Sequence, residues 1–332
     1  MSRQLFAYHP ILGYRYIPGI RARVRHESGG YNVKCNQAGF RCEHELTPKA
    51  REGTFRVLLF GDSFTAGDGV SNKHRFGDLL EQRMDGLEVL NFGLPGSGTD
   101  QQYLAFREYA KDLEYHLLVI CPFVENIQRI VATHRKTVNF TDGKLVERAK
   151  PFFSLEDGEL VPHHIPCPKE TRAAQASNSR TTDDTLRKYV RKLYDRFPGL
   201  SRAVNRIRNT RWPIAYEDPR SPTWLLMKRI LEKWIEDSNT EVIVCPLPLF
   251  AHIDKSFSAD GIRSRFAELA KNEKVTVADI LPHLWRMTEK ERWALIYHGD
   301  QHPSKRGHAA IAESLEPYVK KFHEQWRRRS KA

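Results

Sequence analysis

A serine that closes an apolar run and an Asp-x-His pair near the far end of the chain are the residues whose types and spacing could do chemistry. Val57-Leu58-Leu59-Phe60 reads as a buried strand that stops abruptly at Gly61-Asp62-Ser63. A serine there lies at the carboxyl end of a strand, where open α/β sheets place their ligands. Far along the chain comes Tyr297-His298-Gly299-Asp300-Gln301-His302-Pro303. If that loop is extended, Asp300 and His302 project to the same side. A carboxylate held against one imidazole nitrogen fixes the tautomer and steadies the imidazolium, so the other nitrogen can take a hydroxyl proton. The chemistry implied is attack by an activated serine. Each piece alone also fits a plainer reading. The serine can belong to an ordinary strand-to-loop turn, and His298 and His308 compete with His302. His308 falls inside the expected last helix and His298 lacks a carboxylate at matching spacing, so both read as structural.

Four blocks in order weaken the plain readings. Gly61-Asp62-Ser63-Phe64 resembles the Gly-Asp-Ser-Leu turn of the SGNH/GDSL hydrolases, with phenylalanine in the leucine position. Asn91-Phe92-Gly93-Leu94-Pro95-Gly96-Ser97-Gly98 looks like that family's second block, Phe123-Val124-Glu125-Asn126-Ile127 like its third, and Asp300-Gln301-His302-Pro303 like its last. The resemblance implies that Ser63 is the nucleophile of a triad with Asp300 and His302. It also implies an oxyanion hole made by the N–H groups of Ser63 and Gly96 and the amide of Asn126. Glu125 and Ile127 depart from the flanking Gly and Asp usual in relatives, and Asn126 could instead cap the next segment. The glycine run is GxxGxG, not the dinucleotide GxGxxG, and no GK[ST] follows it. The resemblance covers residues 54 to 130 and 223 to 325. Asn36-Gln37-Ala38-Gly39-Phe40-Arg41 looks like a segment that precedes the catalytic domain in some bacterial relatives.

The elements that must position these residues alternate as βαβ units from Thr54 onward. Strands are expected at 55–60, 87–92, 117–123, 241–245 and 275–278. Helices are expected at 76–84, 100–113, 224–235 and 263–272, with a last one from about Lys305. This is a flavodoxin-like three-layer α/β/α sandwich with a parallel sheet. Residues 1–52, rich in Gly, Pro, Tyr and Arg, read as an N-terminal arm of loops and short strands laid over a hydrolase domain at 53–332. That domain is interrupted at about 134–222 by a basic, partly helical insertion that covers or borders the site, with a helix at Asp184–Phe197 carrying Arg and Lys outward.

A net charge of +12 biases the surface toward anionic partners. The sharper reading of the basic insertion is a rim that attracts an anionic polymer; no nucleic-acid-binding motif accompanies it. Five cysteines at wide spacing with no CxxC pair are expected to be reduced and mostly buried. His163-His164 with Cys167 could be metal ligands, but no second cluster completes a set, and a surface loop is the better reading. No apolar run reaches membrane-spanning length and no signal peptide is visible, so the expectation is cytoplasmic. By resemblance the activity is hydrolysis of an ester, such as a short-chain acetyl ester on a carbohydrate, with no cofactor and no metal. The rivals are an O-acyltransferase using the same residues and a non-catalytic module that binds an anionic polymer.

Overall fold

The computed structural model describes residues 4–138, 145–173 and 214–330. Its centre is a parallel sheet built from β5 (Phe55–Gly61), β6 (Leu87–Asn91), β7 (Leu117–Cys121), β13 (Glu241–Val244) and β14 (Val275–Val277). The spatial order is β14-β13-β7-β5-β6. Counted along the sheet strands this is 2-1-3-4-5, the doubly wound order whose switch point lies between the first and third strands. β5, β6 and β7 are buried along their whole length, as parallel strands covered on both faces must be.

Alternation along β5 divides the core into two layers. Phe55, Val57 and Leu59 face α2 (Phe76–Arg83) and the long C-terminal helix Lys305–Arg329. Leu58 and Phe60 face α3 (Thr99–Tyr109) and the helix Pro222–Glu236. On that side Phe60 stacks on Phe92, with ring centroids 4.6 Å apart, and meets Trp234 edge-on at 5.1 Å. Such ring pairs add about 0.5–1.5 kcal/mol each beyond burial. The sandwich is therefore three-layered, helix on sheet on helix.

Before the sheet, β1 (Phe6–His9) pairs with β2 (Gly13–Tyr16), and β3 (Arg21–Val24) with β4 (Tyr31–Lys34), as two antiparallel hairpins. After β7 the parallel alternation stops, but the first part of the expected insertion is more regular than its sequence suggests. β8 (His134–Val138), β9 (Leu145–Ala149) and β12 (Thr171–Ala173) form one antiparallel sheet, and β10 (Phe152–Glu156) pairs with β11 (Glu159–His163). The expected helix at 184–197 lies outside the described residues. All five cysteines are free and buried. Among the described residues no helix is long and apolar enough to cross a membrane.

Candidate active site

Ser63 begins α1 (Ser63–Ala66), a single turn that follows β5 directly. Asp62, fully buried, shapes that turn from both of its oxygens. Oδ1 accepts the Phe64 N–H at 3.0 Å, a cap worth about 1 kcal/mol. Oδ2 accepts from the Arg129 guanidinium at 2.8 Å. Arg129 donates as well to the Ser97 carbonyl at 3.2 Å, so one side chain ties the serine turn to the glycine-rich loop. That loop presses against the serine turn. A Cβ on Gly93 would come within 2.3 Å of the Ala66 backbone, and Gly96 holds φ at +74°, where only glycine sits without strain.

Asp300 and His302 reach the same edge from the other end of the chain. The His302 Nε2 and Ser63 Oγ atoms are 2.8 Å apart. His302 Nδ1 lies 3.1 Å from Asp300 Oδ2, off the line of a hydrogen bond, and the Asp300 Oδ1 atom accepts the His302 N–H at 3.1 Å. The segment is a turn and not an extended strand. Gln301 adopts φ +65°, and the Tyr297 N–H donates to the His302 carbonyl at 2.8 Å, so a tight turn swings both side chains to one side. Burial works against charge on His302, but Asp300, Asp68 and Asp62 outweigh it and raise its pKa above 6.5. Burial also opposes charge on Asp300; its hydrogen bonds with His302 and His26 win and hold that carboxyl well below the usual range.

Asn126 begins the short helix after β7, fully buried, and neither its amide nitrogen nor its amide oxygen has a partner. A buried orphan amide costs about 1–3 kcal/mol, and it asks for a ligand or a function. The Ser63 N–H is the first of its helix and has no intrahelical acceptor. Beside Ser63 is a cavity of about 590 Å³ lined by Ser63, Gly96, Asp300 and His302 with Glu125, Arg129 and Arg135; Asn126 is not among the residues that line it. Phe64 and Phe123, stacked at 4.2 Å, close one wall.

No family model matches the chain, and a search of curated proteins finds no match. Solved structures do match. The chain is similar to a member of the lipolytic protein G-D-S-L family from Veillonella parvula, at 13% identity over 79% of this chain and 96% of that one, TM-score 0.42. It is similar to the lipase/acylhydrolase from Enterococcus faecalis, at 14% identity over 80% and 96%, TM-score 0.43. It is similar also to LAE5, an alpha/beta hydrolase enzyme from a Lake Arreo metagenome, at 13% identity over 79% and 93%, TM-score 0.42.

The rival histidines sit apart from the Ser63–His302 contact. His308 is buried in the C-terminal helix, where its Nδ1 accepts the Phe76 N–H at 3.3 Å and burial lowers its pKa to about 3. His298 borders the cavity but stacks on Trp293 at 4.1 Å and its Nε2 faces the Trp293 carbonyl. His163, His164 and Cys167 do not converge. They contact Ser154, the Lys150 carbonyl and the Ala149 carbonyl respectively, and Cys167 is buried where a surface loop was expected.

Three contributors carry no local sequence signal. His26, from the arm, places Nε2 2.8 Å from Asp300 Oδ2, while its Nδ1 accepts the Ser28 N–H at 3.1 Å. With Nδ1 accepting, Nε2 carries the proton and donates to the carboxylate. Glu27 accepts the Gly299 N–H at 2.9 Å, so the arm grips the Asp300 loop twice. Ligand atoms of His26, Glu27 and Asp300 lie within 4.8 Å of one another, a spacing that could hold a cation; in the structure they are spent on hydrogen bonds that hold this loop. Arg135, from β8, lies over Tyr14 with its guanidinium carbon 3.8 Å from the ring centroid and beside Gly96.

Proposed function

We propose that this chain is a serine esterase of the SGNH/GDSL type, and that it removes a short acyl group, acetyl, from a carbohydrate. The observation that carries this reading is the Ser63 Oγ to His302 Nε2 contact of 2.8 Å, backed by Asp300, at the carboxyl edge of β5. His302 takes the Ser63 proton as the oxygen attacks the ester carbonyl. The N–H groups of Ser63 and Gly96 and the Asn126 amide hold the oxyanion. His302 then protonates the leaving alcohol, and a water deprotonated by the same nitrogen releases the acid. Support for a short acyl group comes from an apolar recess of about 30 Å³ lined by Phe64, Phe250, Leu295 and Pro303, which shares Phe64 and Phe250 with the main cavity. One water needs about 10–15 Å³ on that measure, so the recess has room for a methyl-sized group. The test is labelling by a fluorophosphonate together with acetate release from acetylated sugars. Failure of both would remove the reading.

Activity should fall on the acid side as His302 is protonated. Its raised pKa puts that fall above pH 6.5. Asp68→Asn removes one of the carboxylates that raise it, so the acid limb of kcat/KM should move to lower pH. An unmoved limb, read from initial rates between about pH 5 and 9, would show that Asp68 is not felt at the imidazole.

His26→Phe should lower kcat by about ten- to a hundredfold with little change in KM, because it loosens the carboxylate that orients His302. With one donor gone, Asp300 attracts the imidazolium more strongly, so the acid limb should move to higher pH. A drop in thermal stability with an unchanged profile would make His26 merely structural.

A further inference from the structure

The cavity at Ser63 does not end at Arg135. A second cavity of about 240 Å³ adjoins it through Phe6 and Arg135, and its lining includes Tyr8, Tyr14, Thr137, Arg148 and Lys169 but no carboxylate. Resting on the esterase reading above, we propose that this second cavity binds an anionic group of the substrate, so that the ester cleaved at Ser63 is carried by an acidic sugar.

The charge pattern argues for this from three directions. Arg135 and Arg148 are directly opposite each other across the antiparallel β8–β9 pair. Like charges in that register repel and destabilise the sheet, unless something between them is negative. The other face of the same pair shows the ordinary solution, with Lys136 4.0 Å from Glu147. The basic side chains toward the triad are also already matched: Arg129 to Asp62 at 2.8 Å, and buried Lys150 to Asp100. Among the described residues Arg135, Arg148 and Lys169 have no carboxylate partner. Arg135 and Lys169 lie instead over tyrosine rings, at 3.8 Å to Tyr14 and 4.9 Å to Tyr8. A cation resting on a ring keeps donors free for a carboxylate, phosphate or sulfate, and a guanidinium can take such a group with two parallel bonds. The carboxylates in the main cavity do not offset this. Asp300 is engaged by His26 and His302, burial pushes the Glu125 carboxyl up, toward the neutral form, and neither of these carboxyls, nor that of Asp68, lines the second cavity.

The experiment compares kcat/KM for acetate release from acetylated methyl glucuronoside, acetylated methyl glucoside 6-phosphate and acetylated methyl glucoside, with phenyl acetate as a small neutral ester. The wild-type protein should favour one or both anionic sugars over the neutral one by about tenfold or more, chiefly through KM. The carboxylate and phosphate arms separate the two anion types. Arg135→Gln and Arg148→Gln should each bring the ratio close to one. Lys136→Gln, which removes the same charge from the opposite face of the same strand, should leave the ratio intact. Thermal midpoints of all three variants show whether a loss comes from unfolding; if Arg135→Gln unfolds, Arg148→Gln decides alone. Equal rates on charged and neutral sugars, alongside Ser63-dependent cleavage of phenyl acetate, would overturn the subsite and leave the esterase standing. If no ester is cleaved, calorimetric binding of the same sugars decides. Tighter binding of an anionic sugar that Arg148→Gln abolishes sustains the subsite without hydrolysis, and equal or absent binding ends it.

Discussion

Ser63→Ala is expected to lower ester turnover by about four to six orders of magnitude and to abolish fluorophosphonate labelling, with the thermal midpoint nearly unchanged. The size follows from what the hydroxyl does. In the proposed mechanism its oxygen is the atom that bonds to the acyl group, and no other hydroxyl lies within hydrogen-bonding distance of His302 Nε2 among the described residues. The fold should tolerate the change, because the serine turn is held by other groups. Asp62 caps Phe64, Arg129 ties Asp62 to Ser97, and the Asn91 amide donates to the Thr65 carbonyl at 3.0 Å.

His302→Ala should cost nearly as much as Ser63→Ala, and the double variant little more than either. Groups that act as one unit do not add. A double variant whose loss equalled the product of the two single losses would mean that the residues work separately, which the 2.8 Å contact denies. Turnover that survives in purified Ser63→Ala protein and scales with its concentration would end the esterase reading.

The sheet was legible because its strands are short apolar runs bounded by turn residues, and burial on both faces leaves them little freedom of composition. The residues picked out at strand ends were legible for a related reason: each lies in a contiguous block, and a sheet gathers the carboxyl ends of its strands. What the sequence hid are side chains whose partners are distant. His26 meets Asp300 across 274 positions, and nothing local in His26-Glu27-Ser28 announces it. β8 and β9 carry His, Arg, Lys and Glu, so they show no apolar stripe; they are strands because they pair with each other, one face lining the second cavity. The turn of the Asp300 loop stayed open in the sequence, because a left-handed Gln301 has no sequence signal comparable to glycine.

Arg41→Met should destabilise the protein by about 3–5 kcal/mol and lower activity with it. Arg41 closes the Asn36–Arg41 segment of the arm and is fully buried. Its guanidinium donates to Asn72 Oδ1 at 2.8 Å, to the Ala66 and Gly67 carbonyls at 2.8 and 2.7 Å, to the Asn32 carbonyl at 3.0 Å, and to the Val70 carbonyl. Four of these acceptors, on Ala66, Gly67, Val70 and Asn72, belong to the stretch that follows Ser63. Methionine fills much of the volume but takes these donors away; the Gly67 carbonyl keeps the Val70 N–H, while each carbonyl left buried without a donor costs about 1–3 kcal/mol before relaxation. On a chain of this size the thermal midpoint should fall by roughly 5–10 °C. Arg41→Lys keeps the charge with fewer donors in a different geometry, so it should fall between the two. The ordering separates carbonyl satisfaction from charge alone: a lysine variant as stable as the wild type would mean that the cation, not its fan of hydrogen bonds, secures the serine turn. A methionine variant with an unshifted midpoint would mean that the arm merely rests on the sheet, and that residues 66–70 hold their shape without it.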